Sequence, residues 1–179
     1  MHSEMDRYLA YIRNKANTDA LTGVGNTTAY TQKVNELEQK ITDKNADFSL
    51  AMFDINDLKG INDSFGHQYG DLIIKAAADT ISSVFDSKNL YRIGGDEFIV
   101  IEENMPLEKM NEMISHVQDR VKIFNENDKE HKGIFALSVG TASFDKEKDS
   151  NFRSTFSRVD DVMYRNKSEY YKHFHNLQT

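Results

Sequence analysis

Two short β-forming runs, residues 90–93 and 98–101, meet across Gly94-Gly95-Asp96-Glu97. Paired glycines between such runs are a hairpin signal, and a hairpin placed here governs the pattern on either side. Upstream, the apolar run from Phe48 to Phe53 closes on Asp54 and is short enough for a buried strand. Between it and the hairpin, residues 71–85 set Leu72, Ile73, Ala76, Thr80, Ile81, Val84 and Phe85 on one side of a helix. Downstream, Pro106 suits a first helical position, and Leu107, Met110, Ile114, Val117, Val121 and Phe124 follow three and four residues apart. A last strand is expected over residues 134–142, where side chains alternate. The order β-α-β-β-α-β is that of the ferredoxin-like split motif, an α+β fold with an antiparallel sheet and helices on one face.

Further helices extend this unit at both ends. Residues 27–44 carry Tyr30, Val34, Leu37 and Ile41 on one face, and Phe156, Val159, Met163 and Tyr170 mark a final helix. An N-terminal stripe of Met5, Leu9, Ile12 and Ala16 predicts a helix that packs on its own domain or pairs with another copy. We place residues 1–18 as a helical extension and residues 19–179 as the one domain, since 179 residues with 39% hydrophobic content support a single substantial core.

Composition removes whole classes of chemistry. Without cysteine there is no disulfide, zinc-thiolate site or thiol nucleophile. A formal charge of -7 with scattered basic residues argues against a nucleic-acid backbone as partner. No apolar stretch approaches the roughly 20 residues of a membrane span, and the acidic N-terminus lacks a signal peptide's apolar region. These features predict a cytoplasmic piece with no membrane contact of its own.

The topology brings Asp54, at the end of the first strand, toward Asp96 and Glu97 in the hairpin turn. Clustered carboxylates without cysteine suit a hard cation such as Mg2+, which shares its shell with substrate phosphates. Phosphoryl or nucleotidyl transfer follows as the reaction class. Taken alone, Gly94-Gly95-Asp96-Glu97 is equally what an exposed turn carries, so the surrounding sequence has to decide. Two other motifs fail on inspection. Asp54 to Gly60 resembles a calcium loop but has Leu58 and Lys59 where an oxygen ligand and a glycine belong, and Gly23-Val-Gly25 has Thr28 at the third glycine position of a dinucleotide fingerprint. His67, between glycines in the chain, reads as a turn or packing residue.

Arg92-Ile-Gly-Gly-Asp-Glu-Phe98 resembles the signature of the GGDEF family of diguanylate cyclases, and the resemblance runs from about Asp19 to Lys167. Asp19-Ala-Leu-Thr-Gly23, Phe53-Asp-Ile-Asn-Asp-Leu-Lys59 with Ile61-Asn-Asp63, Gly66-His-Gln-Tyr-Gly-Asp71, Leu137-Ser-Val-Gly140 and the Asp160, Tyr164, Lys167 pattern all match. The resemblance implies condensation of two GTP into cyclic di-GMP and two pyrophosphates by an antiparallel homodimer, with Mg2+ or alternatively Mn2+. It implies Asp54, Asp96 and the Ile55 carbonyl as metal ligands, and Glu97 as support for metal or substrate activation. Asn62 and Asp71 would read guanine, because an aspartate can accept from both the ring N–H and the exocyclic amine. Lys59 and Lys167 would contact phosphates, and Gly94 and Gly95 would let the nucleotide approach. A covalently attached sensor domain in the full-length protein is also implied.

Four departures qualify the match. Tyr171 stands where many members carry an arginine, with Lys172 beside it as a substitute; Asn26-Thr27 replaces Asn-Arg; and Asn56 replaces a second aspartate. The Arg-x-x-Asp with which many members bind product is here Phe85-Asp86-Ser87-Lys88. The alternative is a catalytically weak or inactive module of the same family that binds nucleotide or protein.

Overall fold

The computed structural model describes residues 2–129 and 133–177, and side chains at 2, 3, 10, 11, 13, 14 and 173–177 are outside that description. In order the elements are α1 (His2–Asn17), α2 (Thr27–Thr42), β1 (Phe48–Ile55), α3 (Leu58–Phe65), α4 (His67–Ser82), β2 (Leu90–Arg92), β3 (Glu97–Glu103), α5 (Leu107–Asn127), β4 (Leu137–Ser143) and α6 (Phe152–Leu177), with a single 3-10 turn at Ser87–Asn89. The strands form one antiparallel sheet in the order β2-β3-β1-β4. This is the ferredoxin-like arrangement expected from the hairpin.

Helices cover both faces, not one. Along β1 and β3 the buried side chains alternate: Phe53, Ile55, Phe98 and Val100 join Ile73, Ala77 and Ile81 of α4 and Met110, Val117 and Val121 of α5. Phe48, Leu50, Met52, Ile99 and Ile101 point the other way, onto Leu37 of α2 and Phe152, Val159 and Met163 of α6. Period-two alternation with two covered faces explains why β1 does not alternate apolar and polar residues, since all eight of its residues, Ser49 and Asp54 included, are buried. The terminal helices added to the split motif are therefore its second layer.

Three boundaries differ from expectation. Residues 58–65, predicted as polar connection, form α3, started by the Asp57 side chain accepting from the Gly60 N–H at 3.3 Å. That turn makes α4 begin at His67, ahead of the predicted residue 71. β4 begins at Leu137 rather than 134, because residues 134–136 lack ladder pairing beyond the Asn56 N–H bond to the Ala136 carbonyl.

Asn26 caps α2, its side chain accepting from the N–H groups of Thr28 and Ala29 at 3.0 and 3.1 Å. The connection before it is stitched to the sheet edge: Gly25 bridges both Thr18 and Tyr91, and the Arg92 N–H donates to the Gly25 carbonyl at 2.8 Å. On α1, Met5, Leu9 and Ile12 are 59%, 46% and 44% exposed, so this stripe is not buried in its own domain.

Candidate active site

The site is built where the end of β1 meets the β2-β3 turn. Asp54 pairs in register with Glu97 on one side and Ser138 on the other, and the Ile55 N–H donates to the Asp96 carbonyl at 3.0 Å. β1 is a central strand, and Asp54 at its end is 4% exposed. Its countercharge comes from α6, where Lys167 Nζ donates to Asp54 Oδ1 at 2.7 Å.

Burial, partly offset by that lysine, leaves the Asp54 carboxyl above the usual carboxylate range, with the Asp96 charge adding to the rise. Glu97 is raised as well, by burial first and then by the charges of Asp96, Asp54 and Asp160. For Lys167, burial opposes the charged form, but the hydrogen bond and charge of Asp54 outweigh it and hold the ammonium above its ordinary pKa. Asp54, Asp96 and Glu97 bring more negative charge to this end of the sheet than Lys167 neutralises. Among the described residues no three His, Cys, Asp or Glu side chains stand close enough to hold a metal by themselves. The three carboxylates foreseen from sequence therefore do not form a metal-holding cluster by themselves among the described residues. Carboxylate oxygens at one end of the sheet are the donor type that fits Mg2+, which usually completes its shell with water and substrate phosphate.

Beside this centre, Lys59, Asn62, Asp63, His67, Gly95 and Asp96 line a cleft of about 410 Å3. The structure therefore brings Lys59, Asn62, Gly95 and Asp96 together in this cleft, which Asp54 and Lys167 do not line. Asn62 is held by close approach to α4: a Cβ on Gly70 would lie 1.9 Å from Asn62 Oδ1. The second glycine of Gly66-His-Gln-Tyr-Gly-Asp71 makes room for that amide, and Asp71 follows it, exposed on the first turns of α4. Gly95 has no atom within 4 Å of an added Cβ, which leaves its backbone open to a ligand. Gly94 is different, since a Cβ there would meet Glu97 Oε2 at 2.6 Å. His67 lines the cleft, a position its reading as a turn residue did not foresee.

Two contributors escaped the sequence reading. Arg92 donates from Nη1 to Asp19 Oδ1 at 3.1 Å and from Nη2 to the Gly95 carbonyl at 2.8 Å, bracing the turn that carries Asp96. Its place two residues before a glycine pair, with Asp19 in a motif of its own, was the available signal. Tyr171 accepts from the Asp57 N–H at 3.1 Å. Asn56, which replaces an aspartate, is buried and accepts from Ser138 Oγ at 2.7 Å, a place where a neutral amide avoids a further buried charge.

The family model described as diguanylate cyclase, GGDEF domain, matches residues 16–173. The chain belongs to the GGDEF family. Diguanylate cyclase DgcS of Shewanella oneidensis is 42% identical over 84 residues, covering 46% of this chain and 28% of that protein. An uncharacterized membrane protein of Staphylococcus epidermidis is 27% identical over 159 residues, 87% of this chain and 44% of its own length. The chain thus spans less than half the length of these relatives. Among solved structures, the coiled coil and GGDEF domain of DgcB from Caulobacter crescentus, in complex with c-di-GMP, superposes with a TM-score of 0.77 at 24% identity, covering 93% of this chain and 88% of that one. SiaD of Pseudomonas aeruginosa, in complex with its activator SiaC, gives 0.78 at 22%, covering 94% and 65%. Both share the GGDEF fold. No helix among the described residues is long and apolar enough to cross a membrane.

Proposed function

We propose that this GGDEF domain is an active diguanylate cyclase. The observation that carries the reading is the convergence of Asp54, the Ile55 backbone and the Asp96-Glu97 turn at one end of the sheet, within a chain matched to the family over nearly its whole length. In each of two equivalent steps the 3′-oxygen of one GTP bonds to the α-phosphorus of the other, the α–β bridging P–O bond breaks, and pyrophosphate leaves with the electron pair. The hydroxyl proton passes to solvent or a site base.

Asp54, Asp96 and the Ile55 carbonyl would hold Mg2+, with Mn2+ as a substitute. Held by these residues, such an ion would supply charge neutralisation for the triphosphate and polarisation of the α-phosphoryl group. Asn62 and Asp71 orient guanine, Lys59 and Lys167 meet the phosphates, Gly94 and Gly95 admit the nucleotide, and Glu97 supports activation. One such site holds one GTP, so two copies must face each other to close a symmetric ring. The exposed α1 stripe suits that pairing, and residues 1–18 would join the catalytic domain, 19–179, to a sensor domain in a longer, cytosol-facing protein.

Incubation with GTP and Mg2+, with the product identified by mass, tests the reaction. Cyclic di-GMP from the wild type and none from a folded Asp96→Asn variant is the expected result. Specific activity should rise with protein concentration in the dilute range. A folded, nucleotide-binding protein that yields no product would instead mark a non-catalytic module.

A further inference from the structure

Tyr171 occupies a position that the proposed reaction leaves without a role. A phenol carries no positive charge for a triphosphate, yet the side chain is not idle. Its hydroxyl oxygen accepts from the backbone N–H of Asp57 at 3.1 Å, and its ring meets Tyr170 edge to face, with centroids 5.4 Å apart at 79°.

Asp57 is an unusual place to anchor. Its backbone is left-handed, with φ 54° and ψ 35°, a conformation that a non-glycine residue adopts only at some cost, though aspartate tolerates it better than most. The turn lies three residues beyond Asp54 and two beyond Ile55, whose carbonyl is a proposed metal ligand. Asp57 also starts α3, the helix that carries Lys59 and Asn62 into the cleft. The turn after β1 therefore sets the direction of groups on both sides of it.

Two bonds from α6 hold this turn. Lys167 donates to Asp54 Oδ1, and one helical turn later Tyr171 accepts from the Asp57 N–H. With both in place, residues 54–57 are fixed at each end to a helix that is itself packed on the sheet through Val159 and Met163. We infer that Tyr171 is a positioning residue: through the Asp57 N–H it holds the β1-α3 turn in the left-handed conformation that presents the Ile55 carbonyl and Asp54 to a divalent cation. The inference rests on the proposed cyclase reading for the identity of the cation, but not for the tether itself.

The test is Tyr171→Phe, which removes the acceptor and keeps the ring. Amide exchange at Asp57, followed by NMR on the metal-free protein, should quicken roughly fivefold, the equivalent of about 1 kcal/mol for one hydrogen bond. Calorimetric titration of Mn2+ in the presence of a non-hydrolysable GTP analogue should show metal affinity weakened by a similar factor. Turnover should fall at limiting Mg2+ and recover at saturating Mg2+, a pattern that general loosening of the fold would not produce. Faster exchange with an unchanged metal requirement would overturn the positioning role, and wild-type values in both measurements, in a protein that turns over GTP, would overturn the inference alone. Failure of the wild type to bind Mn2+ with the analogue would overturn the cyclase reading and this inference with it.

Discussion

Gly140 offers a test of how closely α6 must lie on the sheet. A Cβ added there would sit 2.1 Å from the Val159 carbonyl oxygen and 2.5 Å from the Met163 nitrogen, both backbone atoms of α6, where ordinary contact begins at 3.4 Å. Neither atom can move aside by a side-chain rotation, so in Gly140→Ala the helix as a whole must withdraw by about 1 Å, and overpacking of this kind typically costs about 1–3 kcal/mol. For a chain of this size that corresponds to a fall in Tm of roughly 2–12 °C. Met163 is one turn from Lys167, so the same withdrawal draws the ammonium away from Asp54, and a displacement near 1 Å at a reacting centre can cost on the order of 100-fold in rate. Thermal melting and initial rates with GTP and Mg2+ are the assays. An alanine variant with the wild-type Tm would refute the close approach, and one that melts early while keeping its full specific rate would refute the dependence of the site on α6.

Three further outcomes follow from the same geometry. If Asp71 reads guanine as proposed, Asp71→Ala should weaken GTP more than ATP, because a site that pairs guanine N–H groups loses its discrimination with the acceptor; an unchanged GTP to ATP preference in competition assays would remove Asp71 as a base reader. Glu97→Gln should raise Tm slightly near neutral pH. The folded-state pKa of Glu97 lies above its unfolded value, so the ionised form costs stability at neutral pH, and the cost shrinks as pH falls below the folded pKa and is gone below the unfolded one. The gain should therefore narrow toward pH 5 in melts taken across the range, and a variant less stable than wild type at pH 7.5 would contradict this sign. Finally, Phe85 is 2% exposed and lies edge-on to Phe53 at 6.4 Å, so it presents nothing to a phosphate or guanine; progress curves should stay linear as micromolar cyclic di-GMP accumulates, and noncompetitive inhibition relieved by changing residues 85–88 would disprove this.

The hairpin was legible because its glycine pair and flanking β-branched residues act locally, and the strand order followed from it. The two-sided cover was not. Nothing in α2 or α6 says against which face of the sheet it packs; that is decided by the alternation of Leu50 and Ala51 within a run where both faces are apolar. α3 was missed because its start depends on Asp57 turning left-handed, which polar composition conceals. Asp54 was singled out by its place at the end of an apolar run and Asp96 by the hairpin, while Asn62, which lines a cleft with Asp96, came only from the family resemblance. The roles of Arg92 and Tyr171 were not legible: Arg92 acts on the Gly95 carbonyl three residues on and Tyr171 on the Asp57 N–H far away in sequence, and a backbone partner leaves no residue type to search for.

The stitching of Gly25 to the edge strand has a mechanical consequence. From the last residue of α1 the chain passes at once into a bridge at Thr18 and Gly25, then a second at Tyr91, while the Asp19 side chain grips Arg92 and Arg92 grips Gly95. On this connectivity we expect a torque on α1 to reach, through a few short bonds, the tip of the turn that holds Asp96, the helix acting as a shaft and the turn as its coupled lever.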